Sequence, residues 1–135
     1  MVCAVPAAFT LEECQRLVDA VKKTGLTYMQ AETGCYHADR MSAYKLAHEG
    51  EELKPVPPND HTDELPPNLR QYAKVGHAGA EVFITHEFVP ALVEGRHPKT
   101  DVYHGVAYCA PGICAFDSAD KNGEWVKLPN FGWHS

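Results

Sequence analysis

A few side chains along this 135-residue chain belong to the types that hold metals or move protons. His86 and Glu87 begin a metalloprotease-like pattern, but Pro90 stands where the second histidine of His-Glu-x-x-His would be, which favours a capping or surface role. Another group offers ligand types for a divalent metal in a proline-rich loop, where a solvated loop is the favoured interpretation: Asp60, His61 and Asp63. We therefore predict no catalytic residue and no metal ligand.

A second set of polar side chains has the chemistry to bind a small molecule. Imidazole, phenol and guanidinium groups all form hydrogen bonds with polar ligands near neutral pH. We predict that one such set lines a polar cleft for a small polar ligand: Tyr36, His37, Arg40, His77, Tyr103 and His104. This set is the ligand-binding prediction that we carry to the structure.

Composition and charge exclude several classes of protein. The net charge is −6 and the only basic cluster is Lys22–Lys23, which argues against a nucleic-acid-binding surface. The sequence has no apolar run of about 18 residues and no signal-peptide pattern, so we expect no membrane span and a cytoplasmic location. Five cysteines without paired spacing argue against a disulfide framework. Cys109 and Cys114 are spaced for neither redox chemistry nor zinc binding, and we predict that they pack in the core.

The best-defined structural element begins at Thr10. Thr10 and Glu13 form a Thr-x-x-Glu capping box, in which each side chain accepts a hydrogen bond from a backbone donor of the other. Apolar residues then recur at helical spacing, Lys22 and Lys23 lie in the last turn, and Gly25 supplies a left-handed C-terminal cap. Leu26–Glu32 follows as a strand.

The rest of the chain predicts three further helices and two short edge strands. Pro6 limits residues 1–8 to an edge or terminal strand, and residues 51–75 form a long irregular proline-rich connection. Pro90 should kink its helix or mark an early break, and the Pro111-Gly112 pair should kink its helix. The predicted elements are a helix from Asp39 to about His48, a helix over Ala80–Glu94, a helix capped by Asp101 and reaching about Ala119, and a final strand over Glu124–Leu128.

This inventory predicts an α+β fold with about four helices and two or three short strands. We expect one domain over residues 1–135, with a helix–strand unit at 1–50, the proline-rich loop at 51–75, and a helical pair plus final strand at 76–135. Short strands with unpaired edges are marginal alone, and the helices have more apolar face than one small sheet covers. We therefore predict an obligate homodimer completed by strand pairing or by exchange of elements.

The order of these segments resembles parts of the Gfo/Idh/MocA oxidoreductases, which pair a Rossmann domain with a C-terminal α/β domain. The resemblance covers roughly residues 1–52 and 76–131. Its motifs are Cys3-Ala4-Val5-Pro6 with TLEEC, the strand LTYMQAE, Tyr36-His37-Ala38-Asp39-Arg40 through Gly50-Glu51, the GHAG turn, HEFVPALVEGR, DVYHGVAYCAPGICA and GEWVKLPNF. The resemblance implies that the polar cleft predicted above derives from a sugar-type substrate site.

The departures from that family bear directly on activity. The family's glycine-rich phosphate loop would lie upstream of this sequence, and without it no pyrophosphate cradle is expected. The family's catalytic lysine matches Val5, which cannot transfer a proton. The family's Asp-x-x-x-His pair has no counterpart, and residues 51–75 replace a much longer segment. An NAD-dependent glycosidase family that shares a glycine- and histidine-rich turn needs the same cofactor domain.

Three functional hypotheses remain open at this stage. The first is a non-catalytic binding or assembly module derived from such an oxidoreductase, with no cofactor of its own. The second is a sugar-type oxidoreductase subunit that uses NAD(P) only if a partner supplies the Rossmann domain. The third is a small-molecule or metal-binding protein that uses the histidine and tyrosine cluster.

Overall fold

A computed structural model describes residues 1–36, 61–77 and 79–132 of the chain. These residues form a small α+β structure in two compact units, Met1–Ala31 with Ala91–Ser135, and Glu32–Pro90. The regular elements are β1 Val2–Cys3, α1 Leu11–Thr24, β2 Met29–Gln30, α2 Ala80–Glu94 and α3 Val102–Asp120, with short 3-10 helices at Thr33–Tyr36, Thr62–Glu64 and Arg70–Tyr72. Within this described part of the chain, no helix is both long enough and apolar enough to cross a membrane.

Both ends of α1 are held as predicted. The Thr10 hydroxyl accepts from the Glu13 N–H at 3.1 Å, and a Glu13 carboxylate oxygen accepts from the Thr10 N–H at 3.2 Å. At the other end Gly25 adopts φ 65°, and its N–H donates to the Val21 carbonyl at 2.9 Å. A left-handed residue closes the helix at little cost when it is glycine. The capping box and the C-cap are therefore confirmed.

The first unit is built around a parallel pair of strands and two helices. Val2 pairs with Met29 and Cys3 with Gln30, while α3 packs against both α1 and β2. The buried side chains between them form a single apolar cluster: Ala8, Cys14, Val18, Tyr28, Val102, Tyr103, Val106, Ala110 and Phe131. Burial of this cluster stabilises the unit, because each fully buried aliphatic side chain contributes about 1.5–3 kcal/mol.

In the second unit, one arginine side chain forms hydrogen bonds with two backbone carbonyl groups. The Arg70 side chain donates to the carbonyls of Leu65 at 2.9 Å and Asp63 at 3.2 Å, which ties two short 3-10 helices together. Gly79 adopts φ 87°, and a Cβ at this position would lie 1.8 Å from the Ala73 carbonyl oxygen. Only glycine fits this approach. The described part of the predicted irregular connection, residues 61–75, thus contains two short 3-10 helices.

Several sequence predictions need correction. Glu124–Leu128 forms no strand, because the described residues offer it no neighbouring strand for pairing and Trp125 is fully exposed. The described residues contain three α-helices rather than about four, and the helix predicted from Asp39 lies outside them. α2 and α3 continue through Pro90 and Pro111, so the early break considered at Pro90 does not occur. The bounds predicted for α2 are confirmed, as is Asp101 as the N-cap of α3.

Candidate functional site

The start of α3 carries the most concentrated polar structure in the first unit. One carboxylate oxygen of Asp101 accepts hydrogen bonds from the backbone N–H groups of Tyr103 at 3.0 Å and His104 at 3.2 Å. The same oxygen lies 2.9 Å from the imidazole Nδ1 of His104. Burial alone would raise the pKa of Asp101, but the hydrogen bonds from His104 and Tyr103 outweigh it and lower that pKa. Asp101 is therefore a buried carboxylate that fixes an adjacent imidazole.

His104 and Tyr103 present their side chains to different surroundings. The His104 side chain is 38% exposed, whereas Tyr103 belongs to the buried apolar cluster. The Lys22 ammonium lies 5.7 Å from the centroid of the Tyr103 ring, within the range of a cation–π contact. Tyr103 thus packs in the core, while His104 reaches the surface.

A second polar group lies at the end of β2. The Tyr28 hydroxyl donates to the side-chain carbonyl of Gln30 at 2.9 Å, and the Gln30 backbone N–H donates to the Thr100 carbonyl at 2.8 Å. All three residues are buried. Burial, followed by a hydrogen bond with Cys3, raises the pKa of Tyr28, so its hydroxyl stays protonated. Thr100 directly precedes Asp101, so the two polar groups are continuous along the chain.

In the second unit, His77 and Glu81 form an exposed pair at the start of α2. Both Glu81 carboxylate oxygens accept from the His77 backbone N–H, at 2.8 and 3.0 Å, and His77 Nδ1 contacts one of them. The imidazole hydrogen bond, followed by the backbone N–H, lowers the pKa of Glu81 to about 2. An ionised carboxylate only accepts, so His77 carries a proton on Nδ1.

The six predicted ligand-binding residues do not all fall within the described residues or within one unit. His37 and Arg40 lie outside the described residues. Tyr103 and His104 belong to the first unit, whereas Tyr36, buried at the end of a 3-10 helix, and His77 belong to the second. Tyr103 and His104 are consecutive residues in the first turn of α3.

Sequence reasoning overlooked Gln30 and Thr100, and gave Asp101 only a capping role. One signal was present: Gln30 is a polar residue inside the strand pattern of LTYMQAE. A second was the spacing of three residues from Asp101 to His104, which places the imidazole over a helix N-cap. Neither signal reveals burial, which depends on packing between distant segments.

The structure also shows the surroundings of residues considered as metal ligands and of the cysteines. Asp60 lies outside the described residues, while His61 is buried with Nδ1 2.7 Å from a Glu64 carboxylate oxygen. Among the residues that the structure describes, no group of three histidine, cysteine or acidic side chains could hold a metal ion. Cys114 is buried and Cys109 packs against the apolar cluster, so their predicted core role is confirmed. Burial, followed by the nearby Cys109, raises the pKa of the Cys14 thiol, which makes it less reactive.

Comparisons with models of known protein families, with curated protein sequences and with solved structures give no match to this chain.

Proposed function

We propose that this chain is a non-catalytic binding and assembly module that works as a homodimer. The observation that carries the proposal is the outer edge of β1, which pairs with no other strand among the described residues. In the described part of the chain the sheet consists of β1 and β2 alone, and each strand has two residues. Such a sheet is too small to be stable by itself, and pairing with a further strand would stabilise it.

In the part of the chain that the structure describes, the hydrogen bonds of β1 leave its outer edge available for pairing. The N–H groups of Met29 and Ala31 donate to the carbonyls of Met1 at 3.0 Å and Cys3 at 2.7 Å. Because backbone groups alternate along a strand, the N–H and C=O of Val2 point away from β2. The Val2 side chain is 46% exposed, which leaves an apolar contact surface beside these groups.

The composition of the N-terminal segment favours a second copy of the chain as the partner. Edges of monomeric proteins are usually protected by charged side chains, especially lysine, yet residues 1–9 contain no charged side chain. Two β1 edges related by a two-fold axis would pair antiparallel and form a four-stranded sheet. Val5 and Phe9, both exposed, would extend the contact on each copy. Exchange of β1 between copies would satisfy the same edge.

The non-catalytic part of the proposal depends on the resemblance to Gfo/Idh/MocA oxidoreductases. By that resemblance Val5 matches the family's catalytic lysine, and valine cannot donate a proton. The competing hypothesis is an oxidoreductase subunit that borrows a cofactor domain. Titration with NAD(H) and NADP(H), followed by nicotinamide fluorescence, separates the two, because micromolar binding by the chain alone would contradict our proposal.

The assembly is tested by sedimentation velocity over a range of micromolar concentrations. We expect a dimer for the wild type and a dimer Kd raised at least about tenfold for Val2→Lys, because a lysine there opposes its own copy across the two-fold axis. Val93→Lys is the matched control, since Val93 is an exposed valine on α2. A folded wild-type monomer, or equal effects of both substitutions, would contradict the dimer.

A further inference from the structure

Two buried polar side-chain atoms at the junction of β2 and α3 have no hydrogen-bond partner among the described residues. The Gln30 side-chain nitrogen is one, and the Thr100 hydroxyl is the other. Gln30 is 1% exposed and Thr100 is 6% exposed, and a backbone hydrogen bond joins the two residues. Leaving a buried polar group without a partner costs about 1–3 kcal/mol, so a group that reached both atoms and bonded to them would be favoured.

The chemistry around these atoms selects a neutral ligand. An anion is disfavoured because the Asp101 carboxylate already occupies the first N–H groups of α3. With the Gln30 carboxamide as placed, a cation is disfavoured because the unpartnered amide N–H is a donor and offers it no lone pair. The ligand therefore has no net charge.

The two possible orientations of the Gln30 carboxamide further limit the chemical type of the ligand. As placed, its oxygen accepts from the Tyr28 hydroxyl and its nitrogen needs an acceptor. Turned over, its nitrogen would donate to the Tyr28 oxygen and its own oxygen would need a donor. A hydroxyl group satisfies either orientation with a single atom, because its oxygen both donates and accepts, and it also suits the Thr100 hydroxyl.

Packing limits the size of the bound group. A Cβ on Gly105 would lie 3.0 Å from the Gln30 side-chain oxygen and 3.4 Å from the Ala7 Cβ, so little space exists beside the carboxamide oxygen. We propose that the junction of β2 and α3 binds one neutral hydroxyl oxygen, carried by a water molecule or by a small alcohol. This site is independent of the β1 edge, so it goes beyond the assembly function proposed above.

The first test compares two substitutions of Thr100 by thermal unfolding of the full chain. Thr100→Val keeps the shape and removes the hydroxyl, and we expect it to lower Tm by about 3–5 °C. Thr100→Ser keeps the hydroxyl and should lower Tm less than half as far. An unchanged or raised Tm for Thr100→Val would overturn the proposal, because removal of an unbonded buried hydroxyl is neutral or stabilising. An equal loss in both variants would overturn it too.

The second test identifies the ligand on the wild-type chain by NMR of the Gln30 side-chain amide protons. Rotating-frame contacts with long-lived water and no response to added ethylene glycol or erythritol would assign a water molecule. A saturable chemical-shift change with either alcohol, reduced at least about tenfold in affinity in Thr100→Val, would assign an alcohol hydroxyl. Absence of both signals would overturn the proposal, whatever the stability of the variants.

Discussion

The starts of α2 and α3 use the same two groups, a carboxylate and a histidine, in opposite ways. At α3 the carboxylate belongs to Asp101, which precedes the helix, is buried, and accepts from the helix N–H groups. At α2 the carboxylate belongs to Glu81, which lies inside the helix, is exposed, and reaches back to His77. One start is therefore fixed by a buried side chain and the other is bridged by an exposed one.

The difference shows which residue determines the backbone conformation at the start of each helix. The α3 start needs no unusual backbone angle, because Asp101 is extended and its side chain satisfies the first donors. The α2 start depends on Gly79, whose positive φ and contact with the Ala73 carbonyl no other residue fits. We infer that α2 begins where glycine permits the turn, and that the Glu81 pair adds little to this.

The largest effect is expected from Gly79→Ala. The added Cβ meets the Ala73 carbonyl carbon and oxygen at 2.4 and 1.8 Å, and both are backbone atoms that cannot rotate aside. With the positive φ included, we expect the free energy of unfolding to fall by about 3 kcal/mol. Chemical denaturation followed by circular dichroism measures it.

Gly112→Ala is the matched control for that substitution. Gly112 lies within α3, and no described atom outside its own helix backbone lies within 4 Å of the place that an added methyl group would take. Alanine should therefore raise the free energy of unfolding by about 0.5–1 kcal/mol. Similar losses in the two variants would show that the Ala73 contact does not determine the α2 start.

The sequence predicts helix ends well, because their signals are local. Thr10, Glu13 and Gly25 specify α1, and Asp101 specifies the start of α3, through residues at most four positions away. The strand predicted at Glu124–Leu128 fails for the opposite reason. Its alternating pattern is local, but a strand also needs a neighbour, and that depends on segments distant in sequence.

The candidate sites show the same contrast between features set by nearby residues and features set by packing of distant segments. The pairing of Asp101 with His104 was accessible from their spacing, since three residues place both at one helix start. The burial of Gln30 beside Thr100 was not, because 70 positions separate residues 30 and 100 and only the packing of α3 on β2 brings them together. Buried polar pairs of this kind carry no periodic signal.

A smaller loss of stability is expected for Asp101→Ala, which tests the start of α3, where a buried side chain caps the helix. It removes the cap, the hydrogen bonds that Asp101 accepts from two backbone donors and its contact with the His104 imidazole, so we expect a loss of about 2 kcal/mol at pH 7. Thr10→Ala removes the exposed cap of α1 and should cost about 1 kcal/mol. Asp101→Asn retains a capping oxygen and should fall between wild type and Asp101→Ala. Equal losses for Asp101→Ala and Thr10→Ala in denaturant titrations would remove the distinction between a buried and an exposed cap.

The smallest effect is expected from Glu81→Gln, and its pH dependence is the informative part. The pKa of Glu81 is lowered to about 2 from 4.5, so its ionised form is favoured by folding. That contribution is complete above pH 4.5 and is lost as the pH falls towards 2. The Tm difference between wild type and Glu81→Gln should therefore shrink over this range, and it should also shrink in high salt because the pair is exposed.

Glu12→Gln is the control, since Glu12 occupies the same second position of α1 and no histidine lies in the turn before it. A Glu81→Gln difference that persists at high salt and low pH would mean that this pair stabilises α2 by packing rather than by charge, and the contrast with Asp101 would then disappear.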